Sequence, residues 1–277
     1  MTFLVTGGRG AVATAVTRGL VEAGASVRVG SREPEKLTPP RGVDVVLADL
    51  TRPDTVRTAL KGVDRVFLYA EPSGIDGFVE AAAAEGVEQV VLLSSTAAND
   101  PDDGPIALRH RVVEDALAAG PFATTSVRPG AFAGNAVRWW LPAILGTGEV
   151  RLALPESTDA PIDERDIADV VLTILRAGPG GGYDGAAPEI TGPESLTRRQ
   201  MVETLASAAE RDVRIVPIDV ETARSEMASF PAPIVESLLQ HWIKQDGIPA
   251  PMTDGVERIT GRPARTFAEW AGAAVGQ

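Results

Sequence analysis

The opening of the chain constrains it most. Three apolar residues, Phe3 to Val5, run straight into the turn Thr6-Gly7-Gly8-Arg9-Gly10, and Ala11-Val12-Ala13 then leads into a helical pattern from Thr14 to Ala23. A short apolar run ended by turn residues predicts a buried strand, and the Ala, Val and Leu residues after it predict a helix that opens at the turn. Such a turn aims several backbone N–H groups and the positive end of a helix dipole at one point, where a phosphate would sit. Glycine is needed because a side chain would hold a pyrophosphate off the backbone or forbid the turn. The spacing fits the dinucleotide fingerprint in two frames, Gly8-x-Gly10-x-x-Ala13 and Gly7-x-x-Gly10-x-x-Ala13. An ordinary turn would explain a bare glycine triplet. Its place in a strand-turn-helix unit, with more strand-helix pairs following, selects the nucleotide reading.

Strands and helices then alternate. Ser26 to Gly30 is a second strand closed by Ser31 and Arg32, and Val43 to Leu47 is a third, followed by Asp49-Leu50 and a helix from Pro53. Asp64 to Tyr69 is a fourth strand, Ile75 to Glu85 a helix, and Gln89 to Leu93 a fifth strand ending in Ser94-Ser95. Ile106 to Ala119 is a helix, and Thr124 to Val127 a sixth strand ending in Arg128-Pro129-Gly130. Near-continuous apolar strands alternating with helices predict a parallel sheet covered on both faces, with ligands beyond the carboxyl ends of its strands. At the second strand's end an acidic residue favours NAD, whereas an Arg accommodates a 2′-phosphate. Arg32 stands 22 positions after Gly10. The choice is between a phosphate contact and a solvated loop arginine, with Glu33 beside it.

Further on, Ala136 to Leu145 reads as one helix whose Trp139 and Trp140 either cap something apolar or are simple core. Arg151 to Leu154 is a short strand. Asp163 to Arg176 is an apolar helix whose Asp166 is placed to cap it or to complement its dipole. Tyr183 to Thr191 is strand-like, Leu196-Thr197 introduces a helix to about Ala209, and Val213 to Gln277 holds one more strand and several short helices.

The composition excludes several kinds of chemistry. With no cysteine and only two histidines, His110 and His241, the 277 residues offer no disulfide, thiolate nucleophile or His-rich metal site, and no metal is expected. A net charge of −12 repels nucleic acid and anionic membrane, so an anionic cofactor needs local donors such as the opening turn and Arg9. With no apolar run of membrane length and no signal-peptide pattern, the expectation is a soluble, cytoplasmic chain, with homo-oligomerisation left open.

The chain resembles the NmrA-like atypical short-chain dehydrogenase/reductases. The resemblance runs from Thr2 to about Phe267 and is carried by TGGRGAVA at 6–13, Asp49-Leu50, Ser94-Ser95, HRVVEDAL at 110–117, RPGAFAGN at 128–135, DERDIADVV at 163–171 and ITGPESLT at 190–197. It implies an α/β, doubly wound parallel sheet (Rossmann fold) over residues 1–150, with 160–191 returning to it, and a small mixed C-terminal substrate lobe at 192–277. It implies NADP(H) in preference to NAD(H), with Thr6, Gly7, Gly8, Arg9, Gly10, Ala11 and Val12 at the pyrophosphate and Ser31 and Arg32 at the 2′-phosphate. Asp49 and Leu50 would border the adenine. Tyr69, Ala70, Glu71, Pro72 and Ser94 would lie along the nicotinamide ribose, with Pro129, Gly130, Ala131 and Phe132 near the carboxamide. Taken without the resemblance, Asp49 reads as a loop cap and Pro129-Gly130 as a plain turn.

One departure bears on the chemistry. Reductases of the wider superfamily use a Tyr-x-x-x-Lys pair four residues ahead of a Glu that here looks like Glu114, and that register puts Ile106 and His110 in its place. His110 shares an apolar helix stripe with Ile106, Val113 and Leu117. Glu114, one turn on, is positioned to hydrogen-bond it and raise its pKa. An inward His of this kind is either a core residue or a proton donor. The candidate donors are therefore His110, Ser94, Ser95 and Tyr69. Two functions fit: an NADPH-dependent reductase of a small quinone, enone, imine or ketone held in an apolar cleft between sheet and lobe, or an NADP-binding sensor that acts through protein partners.

Overall fold

The structure, a computed structural model, describes residues 1–100 and 104–276. The first six strands are β1 (Thr2–Val5), β2 (Ser26–Ser31), β3 (Asp44–Leu47), β4 (Arg65–Tyr69), β5 (Gln89–Leu93) and β6 (Ala123–Pro129), interleaved with helices α1 (Ala11–Glu22), α2 (Pro53–Leu60), α3 (Ile75–Glu85) and α4 (Pro105–Ala118). Beyond them come α5 (Asn135–Trp139), α6 (Leu141–Gly146), β7 (Glu149–Ala153), β8 (Thr158–Asp159), α7 (Glu164–Ala177) and β9 (Glu189–Ile190). The chain continues through β10 (Leu196–Thr197), α8 (Arg198–Ala208), β11 (Arg214–Ile218), α9 (Val220–Glu226), α10 (Ala232–Lys244), α11 (Gly255–Thr260) and α12 (Phe267–Val275).

A seven-stranded sheet runs β3-β2-β1-β4-β5-β6-β9, and every pairing among its first six strands is parallel. This is the Rossmann order, whose ligand side lies beyond the strands' C-terminal ends. Every residue of β5 is buried, as a strand covered on both faces requires. One face packs α2, α3 and α4 through Leu60, Phe78, Leu92 and Leu117; burying each such side chain contributes about 1.5–3 kcal/mol. α1 and α7 pack on each other so closely that a Cβ at Gly19 would overlap Leu172. The last turn of α7 has carbonyls with no helical partner. Here two buried polar side chains at the strand starts reach them: Ile174 O accepts the Gly178 N–H and also Gln89 Nε2, each at 3.2 Å, and Leu175 O accepts from Arg65 Nη1.

The described residues form two compact units, the first comprising 1–100, 107–129 and 167–189, the second 104–106, 130–166 and 190–276. The division falls at 129/130, whereas the sequence pattern drew the line at 150. In the second unit β7 pairs with β11 in parallel and β8 with β10 antiparallel, around a core of Trp140, Ile144, Leu152, Leu205 and Phe267. Capping boxes open α8 (Thr197 with Gln200) and α12 (Thr266 with Glu269).

Several expected elements differ. The single helix over 136–145 is two short ones, because Pro142 brings no N–H to the second and the backbone at Trp140 turns out of helical geometry. The strand over 183–191 shrinks to β9. Asp166 does not cap α7: Asp163 Oδ1 takes the Arg165 N–H at 2.7 Å, and Asp166, fully buried, accepts from the Arg265 N–H at 2.7 Å and from its guanidinium. Among the described residues, no helix is long and apolar enough to cross a membrane.

Candidate functional site

Thr6 staples the end of β1 to β4. Its N–H donates to Phe67 O at 3.0 Å, and its hydroxyl accepts the Tyr69 N–H at 2.8 Å. The three glycines that follow do different work. Gly7 has φ +66°, a conformation that disfavours side chains. Gly8 donates to Gly30 O at 3.2 Å, and a Cβ on it would overlap Val29, so it is a packing glycine. At Gly10 a Cβ would meet only Gly7 O, at 3.3 Å, a tight contact with backbone but without the overlap seen at Gly8.

Gly10 is also the N-cap of α1, with no side-chain cap and no acidic residue in the first turn. The N–H groups of Ala11, Val12 and Ala13 therefore begin the helix without an intrahelical acceptor, which leaves an anion-receiving end.

At the ends of β2 and β3, the Ser31 hydroxyl accepts the Glu33 N–H at 3.1 Å. Glu33 is ion-paired with both Lys36 and Arg9, and the Lys36 bond foremost holds its carboxyl below the usual range. Arg32 is exposed and makes no hydrogen bond or ion pair among the described residues. Its charge helps to lower Asp49, whose main perturbation is the Thr51 hydroxyl donating to Oδ1 at 2.8 Å. Asp49 thus does serve as a loop cap. Leu50 lies against Gly74 so closely that a Cβ there would overlap the Leu50 carbonyl. Beyond β4, Ala70 is buried, Pro72 opens a 3₁₀ turn, and the Glu71 carboxylate accepts from Ser73 N at 3.2 Å. Arg109 of α4 reaches this segment, donating to Ala70 O at 2.9 Å and pairing with Glu71 at 3.6 Å.

The expected Glu114–His110 contact is not made. Glu114 accepts from Arg128 Nε at 3.0 Å, from Arg128 Nη2 and from the Ser94 hydroxyl, while Arg128 Nη1 donates to Asn99 Oδ1 at 2.6 Å. A bidentate guanidinium outbids a histidine for a carboxylate. His110 Nδ1 is buried without a partner, and burial, with Arg109's charge second, pushes the imidazole pKa down rather than up. Ser95 caps a 3₁₀ turn by accepting the Ala97 N–H at 3.2 Å. Tyr69 is 49% exposed.

In the second unit, the Gly130 N–H donates to Ile190 O at 2.9 Å, and Ala131 O accepts from Ile162 N at 2.9 Å. Ala131 and Phe132 then line a small cavity of about 20 Å³, room for about one water. Trp139 and Trp140 share its wall and meet edge to face at 6.0 Å; Trp140 is buried core, as one of the two readings of this pair has it.

The family model described as NAD(P)H-binding matches residues 7–178, more than half of the chain. The chain belongs to this NAD(P)H-binding family. Among curated proteins it is 37% identical over 275 residues to a (4-alkanoyl-5-oxo-2,5-dihydrofuran-3-yl)methyl phosphate reductase of Streptomyces griseus, covering 97% of this chain and 96% of that one. It is 33% identical to an NAD(P)H azoreductase of Xenophilus azovorans, with the same coverage. Two solved structures share the fold. The NADPH-dependent quinone oxidoreductase of Escherichia coli in complex with NADPH has a TM-score of 0.80 at 20% identity, over 98% of this chain and 99% of that one. NmrA, a negative transcriptional regulator in complex with NADP, has a TM-score of 0.76 at 18% identity, over 99% and 95%. The NmrA-like resemblance read from the sequence motifs agrees with these neighbours.

In this NAD(P)H-binding family member, three polar residues escaped the motifs. Arg109 and Asn99 are placed by long-range packing and had no local signal. Arg198 was visible only as the residue after the helix-opening Thr197.

Proposed function

We propose that the protein is an NADPH-dependent reductase of electron-poor double bonds, of the enone, quinone, azo or imine kind, in preference to simple ketones. Bound NADPH supplies the hydride. The uncapped start of α1 would hold the pyrophosphate, the open face of Gly10 allowing close approach, and Arg32 would meet the 2′-phosphate while Arg9 and Lys36 neutralise Glu33. Asp49 and Leu50 would border the adenine, and Tyr69 to Pro72 with Ser94 the nicotinamide ribose.

The observation that carries the substrate preference is the state of the proton donors. The Ser94 hydroxyl is spent on Glu114, Glu114 is held by Arg128, and His110 is kept neutral by burial. Reducing a ketone leaves an alkoxide that demands a proton from a protein acid, whereas charge on a conjugated or nitrogen centre is delocalised or met by solvent. The reductases at 37% and 33% identity are named for an unsaturated lactone bearing an acyl group and for azo compounds, both electron-poor double bonds. A cytoplasmic location belongs to the same proposal. The test is NADPH oxidation with matched panels of enones, quinones, azo compounds and imines against simple ketones. Turnover confined to the first group is expected, and equal turnover of ketones would overturn the preference. The absent Tyr-x-x-x-Lys pair favours a second reading, an NADP-binding sensor, and tight NADPH binding with no turnover of any panel would select it.

A further inference from the structure

The end of the sheet where β2 and β3 stop carries a second uncommitted cation. Arg32, just past β2, and Arg52, just before α2, are both exposed, and neither makes a hydrogen bond or an ion pair among the described residues. Strand pairing holds their backbones near each other. Ser31 stands opposite Leu47 in the register of β2 and β3, and the Ala48 N–H donates to Ser31 O at 2.9 Å. From there the chain turns tightly, the Arg52 N–H donating to Asp49 O at 2.8 Å and the Thr51 N–H to Asp49 Oδ1 at 3.0 Å. Gly74 backs the turn, since a Cβ on it would overlap the Leu50 carbonyl. Arg52 is therefore presented by a fixed turn. The charges of Arg32 and Arg52 both reach Asp49, whose carboxyl is lowered first by its Thr51 hydrogen bond and then by these two guanidinium groups.

The carboxylates close by in the chain are engaged elsewhere. Asp49 Oδ1 holds Thr51, Glu33 is shared by Lys36 and Arg9, and Asp54 pairs one turn on with Arg57 at 3.9 Å. With 38 acidic residues against 26 basic ones, the chain had acids to spare for pairing Arg32 and Arg52 and does not use them there. Two guanidinium groups acting on one point suit an incoming group that brings more than one negative charge. A phosphate monoester carries about −1.5 to −2 at neutral pH and three acceptor oxygens, more than a single guanidinium fork takes up. Each phosphate of a pyrophosphate diester carries only one negative charge, and the start of α1 already offers it backbone donors.

We propose that Arg52 is a second specificity-determining residue for the cofactor, meeting the 2′-phosphate of NADP(H) from the α2 side while Arg32 meets it from the end of β2. The assignment rests on the NADPH reading, in which Arg32 contacts that phosphate. It adds that the preference for NADP(H) over NAD(H) is the work of two arginines on two separate strand ends.

The test reads binding, not turnover, and uses the adenosine half of the cofactor alone. Adenosine 2′,5′-bisphosphate and 5′-AMP are titrated by calorimetry into the full chain, as wild type, Arg32→Ala, Arg52→Ala, Arg52→Gln and Arg52→Lys. Wild type should bind the bisphosphate about ten- to a hundredfold tighter than 5′-AMP, the weight of charge-assisted contacts. Arg52→Ala and Arg52→Gln should each lose about five- to thirtyfold on the bisphosphate, between the weight of an exposed ion pair and that of a charge-assisted hydrogen bond, and stay within about twofold on 5′-AMP. Arg52→Lys should retain part of the discrimination, because it keeps the charge. The Arg52 side chain makes no cap bond at the start of α2, so thermal melts of these variants should match wild type and show that they are folded. A bisphosphate preference that Arg32→Ala reduces and the neutral Arg52 variants leave untouched would overturn this proposal and keep the NADPH reading. Equal losses on both nucleotides in Arg52→Ala would overturn it too, by placing Arg52 on the adenine or the 5′-phosphate. No preference for the bisphosphate in wild type would overturn the NADPH reading itself, and the role of Arg52 with it.

Discussion

At the start of α1 the groups facing an anion are backbone N–H donors, and the arginines nearby, Arg9 and Arg32, stand in solvent. In the second unit a single guanidinium is shut away under Trp242 with two donors unused. The first arrangement costs the empty protein little, since water solvates the exposed cations and helix start, and its electrostatic part is screened by salt. The second stores an unfavourable burial of charge, so its electrostatics should respond less to salt. What a charge costs or contributes depends on what surrounds it.

The largest expected effect tests the backbone half of this comparison. Gly10→Val should weaken NADPH binding by about 10²–10⁴-fold, the loss of about two hydrogen bonds to a charged group, with a smaller loss of melting temperature than at Gly8, because its Cβ would meet Gly7 O at 3.3 Å without overlapping it. Gly8→Val should instead lower the melting temperature, since its side chain would collide with Val29. Calorimetry and thermal melts on the pair separate ligand approach from packing. If both variants bind NADPH normally, the turn does not hold the cofactor.

Arg32→Ala should cost about one to two decades in NADPH affinity and leave NADH within about twofold, with the difference shrinking in high salt. Equal losses for the two cofactors would mean that Arg32 does not meet the 2′-phosphate.

His110→Ala should change kcat by no more than a few-fold, because burial keeps the imidazole neutral. A general acid would instead be worth about 10²–10⁴. A drop of that size with NADPH affinity intact would restore His110 as the proton donor. The variant also has a pH signature: with a folded pKa below the ordinary 6.5, the wild type loses stability as the pH falls below 6.5, where the unfolded chain takes up the proton first. His110→Ala should flatten that acid limb in denaturant melts.

The smallest effect belongs to His241, whose pKa is raised by Asp159. Its contribution is fully present below the unfolded value of 6.5 and is lost as the pH rises through the folded pKa. His241→Gln should therefore be less stable than wild type at pH 6 and equal to it at alkaline pH. With 47% of the side chain exposed, solvent screens the pair and the gap should be small. A gap that widens with pH would contradict the ion pair.

Up to residue 129 the sequence was legible almost element by element. α3 and β5 have the ends that their patterns predict, and the other boundaries move by a residue or a few, because period and turn chemistry are local properties. Past Gly130 legibility falls. β7 pairs with β11 across more than 60 residues, and β8 and β10 are two residues each, so no local pattern marks them. The site divides in the same way. The glycine turn and the uncapped helix start were readable because backbone geometry follows from glycine and from missing side-chain caps.

What the chain determined by itself was where backbone would be exposed and which charged residues were at hand. Which charge met which partner was decided only in three dimensions. Spacing offered Glu114 to His110 one helical turn away, yet packing of β6 against β5 brought Arg128 to it instead, and a two-pronged guanidinium is the stronger partner. Asp166 was offered a helix cap and took Arg265, 99 residues on. Arg198 was closed in among aromatic rings with its hydrogen bonds unmade, an outcome invisible in sequence because it depends on the rings' positions around one side chain.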